Sequence, residues 1–282
     1  MREKTRLSTI LLLIPGAGFI FIFLSAAIIM TILQSLGLFS ITRASRFSLE
    51  YWQTLFDREV IDSLLFSLKV GLGSSLGTLL FSYPLALFMR KRFFGRQSLG
   101  SLLKIPIFVP ALVAAFLIIN LIAFHGIVNY LLQALGIIHE PLRMLRDKFG
   151  WGVLFIQVWK NTPFQLLIIS SSLETIRTDI EDAAMNLGAG KLALLRHIIL
   201  PLSIPGILVA VILVFIMTFG DYAITKVAGP VYPISLSIRM HTTATMFQEW
   251  NRAAGIGVII IVVSLLFVWL YSRLARFLQG SM

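Results

Sequence analysis

An all-α integral membrane protein with six transmembrane helices is the fold class that this sequence predicts, and three observations carry it. The residues are 57% hydrophobic and only 13% charged, against roughly 25% charged in an average soluble domain. Six stretches stay mostly apolar over the roughly 20 residues that a helix needs to cross a bilayer. The basic residues behind the net charge of +11 fall mostly between those stretches, which is how topology signals are distributed and not how a solvated nucleic-acid face is built. Cysteine is absent, so no disulfide framework or thiolate metal site is available.

The first stretch, 8–36, follows "MREKTR" and far exceeds the roughly 7–15 apolar residues of a signal peptide, so it predicts an uncleaved anchor, with cleavage after Ala27 as the alternative. The second, 61–89, carries Lys69, whose charge costs about 2.5–3.5 kcal/mol in hydrocarbon unless it snorkels or pairs with Asp62 two turns away. Its "GLGSSLG" has neither the spacing nor the preceding strand of a dinucleotide site. Gly73 and Gly77 instead form a small-xxx-small pair that lets helices approach closely. The third stretch is 105–124.

The fourth stretch, 151–173, contains "QVWKNTPFQ" (157–165). Pro163 removes a backbone donor and frees carbonyls, while Lys160, Asn161 and Gln165 add polar atoms. The cluster suits a substrate pathway or a kinked helix satisfied by its neighbours. The fifth, 201–225, opens on Pro201, with Pro205 a turn later, and holds Asp221 near its outer end. An unpaired carboxylate there is costly. Asp221 either attracts a passing cation, with Tyr222 adding a cation–π face, or pairs with Lys160 or Lys226 and locks helices together. The sixth stretch is 254–278. Between spans, 48–56 and 126–138 show aromatic and apolar residues at helical spacing but are too short to cross, predicting helices at the outer interface or buried caps.

An even number of spans puts both termini on one side. Arg2, Lys4, Arg6, Arg90, Lys91, Arg92, Arg96, Lys104, Arg177, Lys191, Arg196, Arg273 and Arg276 give that side thirteen basic residues. Arg43, Arg46, Arg58, Arg143, Arg146, Lys148, Lys226, Arg239 and Arg252 give the other nine. The excess predicts cytoplasmic termini. No Walker A, H-E-x-x-H or G-x-S-x-G sequence occurs, and the four histidines are scattered, so no catalytic or metal residue is predicted.

The cytoplasmic segment between the fourth and fifth spans reads "EDAAMNLGAGKLALLRHIILP" (181–201). Glu181 and Asp182 suit a helix N-terminus, and Ala183 and Ala184 allow close docking. Gly188 and Gly190 break that helix, 191–200 forms a second one, and Pro201 opens the next span. A helix, hinge and helix presented to the cytoplasm make a docking surface.

This segment resembles the signature of ABC importer permeases, E-A-A, three residues, G, nine residues, I-x-L-P. Ala183, Ala184, Gly188, Ile198, Leu200 and Pro201 fall in register, with Asp182 where the family usually has Glu. The resemblance implies the type I permease fold as one domain, 1–282, with 174–200 as a loop carrying the coupling helix. Glu181, Asp182 and the in-register residues would then meet a separate ATP-hydrolysing subunit. It also implies a second permease, a dimer of ATP-binding subunits, an extracytoplasmic solute-binding protein and a bacterial inner-membrane location. ATP and Mg would bind on the partner, and no cofactor on this chain. "LGAG" and "FGDYAITKVAGP" (219–230) look like the spermidine/putrescine branch, whereas "VWKNTPF" (158–164) resembles sugar permeases. A polyamine or other small polar solute is the expected cargo; sugar, iron and organic anions are alternatives. Asp221, Tyr222, Lys160, Asn161 and Gln165 are the pathway candidates. A carrier or channel working without an ATPase is the competing class, and it predicts inverted repeats or several acids within the spans.

Overall fold

The computed structural model describes residues 2–41, 45–91 and 93–280, with side chains from Pro15 to Arg276 within those ranges. Arg43, Arg92 and the side chains of Arg2, Lys4 and Arg6, which entered the charge count, lie outside the described residues. In chain order the helices are α1 (Arg2–Ser35), α2 (Glu50–Gln53), α3 (Arg58–Arg90), α4 (Arg96–Phe108), α5 (Ala111–Ile122), α6 (Ile127–Ala134), α7 (Trp151–Glu174), α8 (Thr178–Asn186), α9 (Lys191–Leu194), a π turn (Leu195–Ile199), α10 (Leu200–Phe219), α11 (Ala223–Ala228), α12 (Leu236–Thr245) and α13 (Trp250–Gly280). No strand occurs among the described residues.

Among the described residues, five helical segments are long and apolar enough to cross a membrane: Pro15–Ser35, Arg58–Arg90, Ala111–Ala134, Lys191–Phe219 and Trp250–Arg276. The sixth expected span is α7. Its 24 residues reach about 36 Å, sufficient for a bilayer core, but Gln157, Lys160, Asn161 and Gln165 dilute its apolar character. The predicted third span is divided. Val109 and Pro110 are extended (ψ 121° and 146°) and separate α4 from α5, because proline's ring pushes the residue before it out of helical conformation. Pro201 does not start a new helix: the π turn carries α9 into α10 without a break, accommodating the hydrogen bond and space that the proline ring removes. Of the outer segments, 48–56 forms a single turn, α2, and 126–138 forms α6. Helices α11 and α12 were not expected from the sequence.

The chain divides into two compact units. One comprises residues 1–60 and 239–262. In it the start of α13 is tied to the end of α1 by buried Asn251, whose Nδ2 donates to the carbonyls of Gln34 (2.7 Å) and Phe39 (3.1 Å). Its Oδ1 accepts from Ser40 Oγ (3.0 Å). Arg239 pairs with Glu59, and Arg252 with Asp57.

The other unit comprises residues 61–238 and 263–282. Its core is built on α7. At one end Val153 and Ile156 pack with Phe66, Val70, Ala115, Ile118, Ile122, Ile224 and Ala228; at the other, Leu166, Ile169 and Leu173 pack with Ala86, Leu194, Ile199 and Ala210. The close approach expected at Gly73 and Gly77 is present: a Cβ there would lie 2.9 Å from Leu154 and Val158 of α7 respectively. Matching steps of four residues on both helices make α3 and α7 run parallel, ridge in groove. Gly206 of α10 is tighter still, since a Cβ would lie 2.1 Å from Ser172 Oγ.

Candidate functional site

The segment after α7 has the helix, hinge and helix that its sequence predicts, with α8 starting at Thr178, three residues earlier than the acids suggested. The end of α8 is closed by a Schellman turn. Gly188 N donates to Met185 O (2.9 Å) and Ala189 N to Ala184 O (3.0 Å), with Gly188 at φ 88°. That left-handed conformation is what glycine supplies and branched residues resist. Nothing stands within 4 Å of a Cβ built on Gly188 or Gly190, so the turn is constrained by backbone and not by packing within this chain.

The two faces of α8 differ. Glu181 and Ala184, one helical turn apart, look inward: Ala184 packs against the cluster of Ala86, Leu173, Ile176 and Leu194, and Glu181 pairs with Arg90. Asp182, Ala183, Met185 and Asn186 are exposed, Leu187 at the turn is 90% exposed and Leu192 beyond it 76%. Asp182 makes no side-chain hydrogen bond or ion pair among the described residues. The outward surface is thus an acid with exposed apolar side chains around it, next to a turn with no neighbour. Ile198 is half-buried against the same cluster, Leu200 is exposed and Pro201 half-buried in the first turn of α10.

The pathway candidates do not form one cluster. Lys160 Nζ donates to the carbonyls of Pro106 (2.7 Å) and Val109, with Ile107 O at 3.5 Å. These are the acceptors left by the break between α4 and α5, at the negative end of the α4 dipole. Asn161 Nδ2 donates to Gln157 O (2.8 Å) and Oε1 (3.0 Å). Gln165 accepts from Ser82 Oγ (3.0 Å) and donates to Ser75 O (3.4 Å). Both Asn161 and Gln165 are buried. All three therefore bond to their own helix or to neighbouring helices.

Asp221 lies beyond the end of α10, outside the span in which the sequence placed it. Its Oδ2 accepts from Ile224 N (3.0 Å), Thr225 N (3.1 Å) and Thr225 Oγ1 (3.2 Å), capping α11. It pairs with neither Lys160 nor Lys226 among the described residues, so the helix-locking ion pair is not formed. Its Oδ1 takes none of these bonds. Lys69 does not pair with Asp62 either. Its ammonium stands over the rings of Phe66 (5.0 Å) and Phe149 (4.5 Å), while Asp62 accepts the hydroxyl of Tyr232. Sequence reasoning missed Arg90 and Asn129. Asn129 is buried on α6, where its Nδ2 serves the carbonyls of Ala123 (3.1 Å), Phe124 (3.2 Å) and Leu142 (2.9 Å); an asparagine in an amphipathic stretch was its only signal.

Comparison with known proteins gives a consistent set. Residues 74–280 match the family described as binding-protein-dependent transport system inner membrane component. The spermidine/putrescine transport system permease protein PotB of Escherichia coli (strain K12) is 27% identical over 234 residues, covering 83% of this chain and 84% of that protein. The molybdenum transport system permease protein ModB of Haemophilus influenzae is 28% identical over 230 residues, 76% of this chain and 97% of that protein. Among solved structures, a bacterial alginate ABC transporter in complex with a pentasaccharide-bound periplasmic protein superposes with a TM-score of 0.77 at 18% identity, over 98% of this chain and 95% of that one. The MetNI methionine ABC transporter superposes with a TM-score of 0.61 at 13% identity, over 77% of this chain and 95% of that one.

Proposed function

The chain belongs to the binding-protein-dependent transport system inner membrane components, the permease subunits of ABC importers, and from that premise we propose that residues 174–200 are its coupling element. In this reading α8 and the Gly188 turn dock on a separate ATP-binding subunit, which carries ATP and Mg in a dimer. This chain shares the solute pathway with a second permease, receives solute from an extracytoplasmic binding protein and keeps both termini in the cytoplasm. The observation that carries the reading is the outward face of α8: Asp182, Met185 and Leu187 are exposed beside a backbone turn that only glycine accommodates readily. A protein leaves apolar groups clustered in water where a partner covers them. A carrier or channel working alone has no use for this face.

Gly188→Val tests the proposal. Forcing a β-branched residue into this conformation costs upwards of about 1–2 kcal/mol locally, leaving the spans intact. The variant should reach the membrane in normal amounts, yet show no uptake and either lose the ATPase subunit or lose the stimulation of its hydrolysis by the binding protein. Full uptake would refute the coupling assignment.

For the cargo we favour a polyamine. The relatives named for spermidine and putrescine support it, as does Asp221 Oδ1, a carboxylate oxygen that no capping bond uses. Tyr222 stands beside it, while Lys160, Asn161 and Gln165 contribute from α7 by shaping the helices that bound the pathway. Asp221→Asn should reduce spermidine uptake per folded molecule. Uptake of molybdate and not spermidine by the unmutated transporter would assign an oxyanion instead, as the likeness to a molybdenum permease suggests.

A further inference from the structure

We propose that Arg90 is the positioning residue that fixes the coupling helix to the α3 shaft, so that displacement of α8 by the ATPase moves the membrane helices. This rests on the coupling role proposed above. Arg90 is the last residue of α3, a 33-residue helix packed so closely that a Cβ on Gly71 would lie 2.9 Å from Phe215 of α10, and one on Gly73 or Gly77 2.9 Å from α7. Its guanidinium reaches two places at once. It donates to the carbonyl of Ile176 (2.9 Å), in the turn between α7 and α8, and it pairs with Glu181 in the first part of α8. One cation thus ties three elements together.

The pair is sheltered. The side chains of Arg90 and Glu181 are only 16% and 19% exposed, and beneath them Ala86 and Ala184 pack into the same apolar cluster. A second bridge nearby, Arg96 to Glu174, is longer at 3.6 Å and has side chains 41% and 66% exposed, so water screens it. Screening separates the two: the Arg90 contact holds geometry and the Arg96 contact does not. Both contacts come from Nη2 alone, and Nη1 is buried with no hydrogen-bond partner among the described residues, so what arginine supplies here is a permanent charge at the right reach and not a two-pronged fork. Glu181 consequently faces its own chain, and Asp182 is the acid left for the ATPase.

The test uses the complete transporter in liposomes. It reads the ratio of ATP hydrolysis with solute-loaded binding protein to hydrolysis at rest, the solute being whichever of spermidine or molybdate stimulates the unmutated complex. Arg90→Ala and Glu181→Gln should keep the ATPase subunit bound but lower that ratio about fivefold or more. Arg90→Lys, whose one ammonium can serve both oxygens, should lower it less than Arg90→Ala, and Arg96→Ala should not lower it. The exchange Arg90→Glu with Glu181→Arg should recover part of the ratio, since the ion pair returns but the bond to Ile176 does not. An unchanged ratio in Arg90→Ala and Glu181→Gln overturns the proposal. So does loss of the ATPase subunit in Glu181→Gln, which would make Glu181 a direct contact. Should Arg90→Ala fail to reach the membrane, Glu181→Gln decides alone, because it keeps shape and hydrogen-bonding capacity. The failures separate: an active Gly188→Val removes the coupling segment itself, whereas an inactive Gly188→Val beside an unchanged Arg90→Ala removes only the clamp.

Discussion

Replacing Lys160 with methionine keeps a flexible, unbranched side chain but withdraws the ammonium from the carbonyls of Pro106 and Val109. Hydrogen bonds to charged groups contribute about 1.5–3 kcal/mol each, so the two close bonds together are worth about 3–6 kcal/mol; Ile107 at 3.5 Å adds little. Against this, removing a charge from an apolar span recovers about 2.5–3.5 kcal/mol. The difference leaves the variant less stable by about 0.5–2.5 kcal/mol, with the end of α4 short of a donor. Its thermal midpoint in detergent should fall by about 2–4 °C for each kcal/mol, and uptake per folded molecule should stay close to normal. The opposite pattern, an unchanged midpoint with uptake abolished, would refute the structural assignment and return Lys160 to the solute pathway.

Gly206→Ala should be destabilising by about 1–3 kcal/mol, because the new Cβ would stand 2.1 Å from Ser172 Oγ and 2.2 Å from Ser172 Cβ. Adding Ser172→Gly should recover much of the lost midpoint, and a neutral Gly206→Ala would mean that α7 and α10 are further apart than described. Asn251→Ala should cost about 1–3 kcal/mol by leaving the carbonyls of Gln34 and Phe39 without a donor. Asn251→Asp should do no better, since a carboxylate cannot donate; a wild-type midpoint in either variant would contradict the staple. A reporter fused after the last residue should be active only in the cytoplasm, and extracytoplasmic activity would reverse the topology.

What the sequence made legible was local. The four-residue spacing of Gly73 and Gly77 encodes a groove, and α7 fills it with Leu154 and Val158. Gly188 after a short amphipathic run encodes a left-handed turn, and it sits at φ 88°. What stayed hidden were partners distant along the chain and breaks that hydropathy averages away. Pro110 signals the end of α4 plainly enough, but a window of about 20 residues slides over it because both flanks are apolar. The same averaging carried the fifth span past Gly220 to Thr225, although a glycine followed by an aspartate four residues before Thr225 is a termination and capping pattern. Lys160 and Arg90 each act on carbonyls contributed by elements more than 50 residues away, which no local pattern announces.

These cases share a cause. A helix that stops where water is scarce leaves backbone groups that must find partners within the protein, and this chain supplies them from side chains. Lys160 serves the end of α4, Asn129 the end of α5, Asp221 the start of α11, and Ser67 Oγ accepts the Leu236 N–H at the start of α12 (2.8 Å). Polar residues in the apolar stretches therefore mark breaks before they mark a solute route, which is why a pathway and a repaired kink look alike in the sequence. The discriminating quantity is the polar capacity left after each break is satisfied. By that measure Lys160 and Gln165 have little to offer a solute. Asp221 keeps one carboxylate oxygen, and Gln157 Nε2 is buried with no partner among the described residues. Substitutions that probe solute selectivity should begin from such leftover groups and not from the most polar stretch of sequence.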